Sequence, residues 1–315
     1  MVKLTDRVEI TRLSREQRQG VVSTVMASFF LGWAPILGKL AYRGGVTPFT
    51  LAAFRTAVAA LVIWTASVFF WRRRFAISWR GLIGCISVGA VNGFGSLLYY
   101  TSLSHLDASR ASLLNTLYPL WVVLFLFAAG QPLTGLTLAR LALSMLGVYL
   151  LTRAGPGELD RLGVMLMVAS AATYGWHLVL GQWVLADVPS RTATLYILTT
   201  MACVVGVARV LQARPVEPIA ATGWCAILAL GLTTALSRLA MFSALQRLGG
   251  VETSLVGLLE LLVSLVLAFL LLGERLTTVQ WVGAVLLVIS LMLMARDPGM
   301  RLAEGNVPLE WKRRG

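Results

Sequence analysis

Charge is scarce along this chain, and acid is scarcest. Only 13% of the 315 residues are charged, with 14 Asp and Glu against 27 Lys and Arg. A soluble domain with a hydrophobic share of 57% would have to bury nearly the whole chain, which its size does not allow. The three cysteines, Cys85, Cys203 and Cys225, fall inside or at the ends of apolar runs, which excludes a disulfide framework. The two histidines, His105 and His177, are too far apart to form a ligand motif, so no metal and no cofactor are assigned. Met1 to Gln19 is polar and basic and contains acidic residues, which is not a signal-peptide layout. The formal charge of +13 could suit nucleic acid, but the basic residues sit where they orient a membrane protein, and no nucleic-acid partner is expected.

Apolar runs make up the rest. They lie at about Val21–Tyr42, Pro48–Trp71, Gly81–Leu103, Ser109–Phe127, Thr134–Thr152, Leu162–Trp183, Arg191–Ala208, Gly223–Gln246 and Val251–Leu272, with a tenth ending at Ala295. Such lengths suit a hydrocarbon core of about 30 Å at 1.5 Å per residue. The fold class expected is therefore all-α integral membrane, with ten transmembrane helices. The segments expected are a tail 1–19, five helices 20–152, a linker 153–161, five helices 162–296 and a tail 297–315.

Two charges stand out against this background. Beyond Glu252 at its very start, Glu260 is the only charge of the run Val251–Leu272, and Arg238 is the only internal charge of the eighth run. A turn at Arg247-Leu248-Gly249-Gly250 separates them, nine residues after Arg238 and ten before Glu260. On antiparallel helices both heads then reach similar depth, about 14 Å from the interface. Intramembrane ionisable groups usually face a bundle interior or a water-filled path, so this pair is expected at the heart of a polar cavity. The alternative is an ion pair that only locks two helices. Arg55, seven residues into its run, is ambiguous. Lys39 and Arg140 lie near run ends and are expected to snorkel. Pro35 and Pro119 are expected to kink their helices. Gly89 and Gly93 are spaced for close helix packing.

The basic residues orient the chain. With the N-terminus inside, cytoplasmic segments hold fifteen Lys and Arg, and outside loops hold seven. That is the positive-inside pattern, with both termini cytoplasmic in a cell membrane, the bacterial inner membrane being expected.

The halves resemble each other. Residues 32–39 align with 175–182 and residues 130–134 with 273–277, both at an offset of 143, while 102–106 align with 244–248 at an offset of 142. Five spans per half is odd, so the second half enters from the opposite side. The expected architecture is two inverted five-helix repeats, with substrate held between them. The repeat also selects a site. Glu260 maps to Tyr118, Arg238 to Ser96, Thr234 to Asn92 and Trp176 to Trp33, and Asn115 and His177 are added. Each has a plainer reading. The tryptophans can be packing aromatics, and His177 a satisfied interhelical hydrogen bond. The asparagines can be interhelical bonds worth about 0.6–2 kcal/mol.

The run Leu271-Leu272-Gly273-Glu274-Arg275-Leu276-Thr277, followed by Gln280, Trp281 and Gly283, resembles the end of an EamA-type domain. Lys39, Pro48 and Leu51-Ala52-Ala53-Phe54-Arg55 resemble the start of the earlier one. Two such domains in tandem are similar to the ten-helix carriers of the drug/metabolite transporter superfamily. The resemblance implies a cavity lined by spans one, three, four, six, eight and nine. It also implies transport of amino acids, other small metabolites, drugs or nucleotide sugars, often outward. The first half departs from the pattern, with Gly130-Gln131-Pro132-Leu133-Thr134 where the family usually has Gly-Glu-x-Leu-Thr. The proline of Tyr118-Pro119 is likewise absent from Glu260-Leu261.

The function expected is secondary transport of a small polar or amphoteric metabolite, outward, with Glu260 available for proton coupling. A lipid or lipid-linked-sugar translocase on the same fold is the main alternative. An intramembrane enzyme would need a nucleophile and base at one depth, and Ser96 with His177 is the only such pairing imaginable. Oligomeric state is not assigned.

Overall fold

The computed structural model describes residues 15–70, 76–129, 135–153, 160–213, 215, 218–256 and 259–294. Residues 1–14, the last tail, the Arg72–Arg74 turn, Gln131, most of the 153–161 linker and the side chain of Arg140 lie outside the described residues, and the end of the expected first tail, 15–19, is helical. The helices are α1 (Arg15–Gly32), α2 (Ala34–Arg43), α3 (Pro48–Phe70), α4 (Trp79–His105), α5 (Ala108–Asn115) and α6 (Tyr118–Ala128). They continue as α7 (Gly135–Arg153), α8 (Arg161–Val184), α9 (Ser190–Leu211), α10 (Ala221–Val256), α11 (Leu259–Leu267) and α12 (Thr278–Met294). A π-helical segment, Ala268–Leu272, extends α11 and ends at Gly273, whose φ of 69° suits glycine. Among the described residues, seven helices are long and apolar enough to cross a membrane, and Leu259–Leu272 and Thr278–Ser290 are shorter apolar helices.

Two expected spans are broken. The first divides at Trp33 into α1 and α2, and the fourth divides at Thr116–Leu117 into α5 and α6. In both, proline stands at the start of the second piece, where its missing N–H costs nothing. Ser78 caps α4 through Gly81 N at 3.1 Å, and Asp160 caps α8 through Gly163 N at 3.1 Å.

The expected turn at Arg247–Gly250 is not a loop, because helical backbone runs through to Val256. The chain nevertheless reverses. Gly44 packs on Gly223 and Gly20 on Leu248, yet Gly32 packs on Val263 and on the carbonyl of Glu260. A straight helix would carry Val263 about 22 Å past Leu248 rather than back alongside Gly32.

Packing is reciprocal between the halves. α4 lies against α8 as α10 lies against α1 and α2, α3 lies against α9, and α7 against α12. α4 and α8 run antiparallel, since Gly81 meets Val188 at one end and Gly163 meets His105 at the other. Gly89 and Gly93 serve as expected. A Cβ on Gly89 would come within 2.7 Å of Ile197 O, and one on Gly93 within 2.9 Å of Val204, so α9 seats directly on the α4 backbone.

Candidate functional site

Asn92 and Ser96 stand one turn apart on one face of α4, near the middle of its 27 residues. Each accepts from a different arginine. Arg238 Nη2 donates to Asn92 Oδ1 at 3.1 Å, and Arg55 Nη2 donates to Ser96 Oγ at 2.5 Å. Across the gap, Arg55 Nη1 donates to Thr234 Oγ1 at 3.0 Å, and Arg238 follows Thr234 by one turn of α10. The two guanidiniums are therefore held as successive rungs between α4 and α10, their anchors one helical turn apart on each.

Both arginines are buried, Arg55 at 5% and Arg238 at 6% exposure. A charge at this depth costs about 2.5–3.5 kcal/mol on insertion scales, so its retention needs partners or a purpose. The partners found are neutral. Tyr100 faces the Arg55 guanidinium at 4.5 Å from its ring centroid, and Tyr174 faces that of Arg238 at 5.5 Å. The Nε atoms of both arginines are buried and have no hydrogen-bond partner.

Around them opens a space of about 650 Å³, open solvent at its mouth included. α1 and α2 contribute Phe30, Leu31 and Ala34, and α3 contributes Arg55. α4 adds Tyr99 and Tyr100 beside Asn92 and Ser96. Asn115 comes from the end of α5, and α8 presents Ser170, Thr173 and Tyr174. α10 presents Thr234, Ser237 and Arg238, and α11 presents Glu260. The breaks at Trp33 and Thr116–Leu117 and the start of α11 all fall beside this space, as interrupted helices do where they line a cavity.

Six of the ten residues selected from sequence line the cavity: Asn92, Ser96, Asn115, Thr234, Arg238 and Glu260. Four do not. His177 is fully buried behind Arg238, whose Nη1 lies 3.4 Å from its Nε2. A guanidinium has no acceptor, so Nε2 accepts and the ring carries its proton on Nδ1, toward Val88 O at 3.3 Å. Tyr118 is buried and packs edge-on against Tyr174 at 4.8 Å, one layer out. Trp176 packs on Phe125 at 5.1 Å and Trp183 at 6.2 Å, away from the cavity. The reason is phase: it lies two residues past Tyr174, about 200° around the helix. Trp33 caps the break before α2 and packs in the apolar cluster around Tyr100 and Leu103.

Two further expectations change. Arg238 and Glu260 form no close ion pair among the described residues, although they lie within electrostatic reach of each other. Ser96 and His177 each bond to a different arginine, so they are not paired as nucleophile and base.

Sequence reasoning missed Arg55, although an arginine inside an apolar run is the same signal that selected Arg238. It also missed Ser170, Thr173 and Tyr174, which with the selected His177 form a polar i, i+3, i+4, i+7 stripe on an otherwise apolar helix.

On the face where α4 ends and α8 begins, polar groups tie the halves together. Glu274 accepts from Ala108 N at 3.0 Å, Ser109 N at 2.8 Å and Ser109 Oγ at 2.7 Å, and so caps α5. His105 Nδ1 lies 2.7 Å from Asp160 Oδ2. The Gly163 N–H, and then His105, hold the Asp160 carboxyl below its ordinary value. Lys39 lies within electrostatic reach of Asp107 and Glu274. Ala220 N also donates to Gly44 O at 3.1 Å.

Apolar helices broken beside a central cavity that holds both signs of charge define a multi-pass membrane carrier. The chain belongs to the EamA-like transporter family, which matches it twice in tandem, over residues 18–153 and 161–296. It is thus a membrane transporter of the drug/metabolite transporter type. A crystal structure described only as that of a protein is similar in fold, with a TM-score of 0.64 at 18% identity, over 88% of this chain and 96% of that one. No curated protein matches the chain.

Proposed function

We propose that this protein is a secondary carrier of a small polar or amphoteric metabolite, moving it outward by alternating access around the Arg55–Arg238–Glu260 cavity. The arrangement is ten spans in two inverted five-helix repeats, with both termini in the cytoplasm of a bacterial inner membrane. The reciprocal packing of α4 on α8 and of α10 on α1–α2 supports the repeat relation. The observation that carries the reading is the cavity itself: two arginines, one carboxylate and three tyrosines brought together among apolar helices. Nothing purely structural requires so much polarity there.

Glu260 is the group a coupling proton would occupy, since it is the only acid lining the cavity among the described residues. The test is flux in proteoliposomes. Arg238→Ala and Glu260→Ala, each checked for folding by its melting curve, should lose most transport. Normal flux in both folded variants removes the cavity from the mechanism, and flux indifferent to a pH gradient removes proton coupling.

A further inference from the structure

Among the described residues, the cavity wall carries two cations and one anion. Among the described residues Arg55 donates to the hydroxyls of Thr234 and Ser96. Arg238 donates to the amide oxygen of Asn92, the neutral ring of His177 and the sulfur of Met241. None of these partners carries a compensating charge, and neither guanidinium forms an ion pair among the described residues. Each also keeps a buried Nε–H with no acceptor. In a low-dielectric bundle an uncompensated cation is tolerated where an anion completes it. With Glu260 ionised, the wall is left with one positive charge in excess.

We infer that the ligand is a small organic anion of net charge −1, with acidic groups seated on the paired Arg55 and Arg238 guanidiniums and a cationic group turned toward Glu260. This rests on the carrier reading above and names the substrate class of the same cavity. Arginine suits the task because its planar donor fork matches carboxylate geometry. The rung spacing gives each of two acidic groups its own guanidinium. Tyr99, Tyr100 and Tyr174 line the same cavity, Tyr100 against Arg55 and Tyr174 against Arg238.

Three near-isosteric probes of different charge separate the outcomes: L-glutamate at −1, L-glutamine at zero and L-lysine at +1. Thermal stabilisation of the purified protein should appear at concentrations about tenfold lower for glutamate than for glutamine, and not at all for lysine. Arg238→Gln should abolish that preference. Should that variant not fold, Glu260→Gln decides. It removes the partner of the ammonium, so the preference should move from glutamate to glutarate, which has the same two carboxylates and no amine. Equal or better stabilisation of the wild type by glutamine or lysine overturns the inference. So does an unchanged preference in Glu260→Gln, or no stabilisation by any probe. Flux in proteoliposomes separates the two levels. Stabilisation by glutamate without flux leaves the anion site standing and sinks the carrier reading. Flux confined to neutral or cationic compounds sinks the anion site and leaves the carrier.

Discussion

The two ends of the bundle are closed differently. At the end where α4 finishes and α8 starts, one carboxylate, Glu274, satisfies three donors of α5, and His105 Nδ1 lies 2.7 Å from Asp160 Oδ2. At the other end the polar contacts described include the Ser78 cap on Gly81 N at 3.1 Å, an exposed contact from Arg247 Nη1 to Gln19 Oε1, and two long bonds of Gln246, which donates to Leu185 O at 3.3 Å and accepts from Ser190 N at 3.4 Å. Charge-assisted hydrogen bonds to backbone N–H groups are roughly twice as strong as neutral ones. Among the described contacts, a carboxylate takes up backbone donors of a neighbouring helix at the first end, and side chains pack closely on glycines at the second, Val188 on Gly81 and Leu248 on Gly20.

This contrast can be broken by substitution. Glu274→Ala leaves the α5 terminus uncapped and should cost about 1–2 kcal/mol, read as a fall in melting temperature in detergent. A melting temperature within error of wild type would show that Glu274 holds nothing. Asp160→Asn sharpens the same end through pH. The Asp160 carboxyl sits below its ordinary value because Gly163 N–H, and then His105, favour its charged form. Its contribution is therefore present above the ordinary carboxylate range, near pH ~4, and is lost as pH falls through the lowered value. The difference in melting temperature between wild type and Asp160→Asn should persist down to that range and vanish below it. A difference that disappears near neutral pH would point to another group. The smallest effect is expected at the opposite end, where Arg247→Ala should change stability by less than about 0.5 kcal/mol, as exposed contacts usually do. A larger loss there would erase the contrast.

Much of this was legible in the residues. Apolar runs show the helices because a span has to be apolar along its whole length, and prolines mark the breaks because their rings cannot continue the ladder. Glu260 and Arg238 announced themselves as charges where none are tolerated cheaply. What was not legible is rotation and register. Trp176 and Tyr174 are equally plausible cavity residues until the phase of α8 is known, and packing alone fixes that phase. Arg55 was passed over because the hairpin argument paired Arg238 with Glu260 across one turn. Its true partners, Ser96 and Thr234, lie 41 and 179 residues away, a separation no local pattern reports. The reversal after Leu248 was expected as an open loop, yet helical backbone continues through Gly249 and Gly250. The π-helical segment before Gly273 left no sign at all.

The Glu274 cap has a kinetic consequence. α5 bears Asn115 on the cavity at one end and is gripped by the 273–277 turn at the other. If α5 swings aside to admit solute from that side, three bonds must release together, because they share one carboxylate. The same event frees that carboxylate and bares two backbone donors at the vestibule. A passing anion could take up those donors for an instant, making departure of the grip and arrival of cargo parts of one exchange.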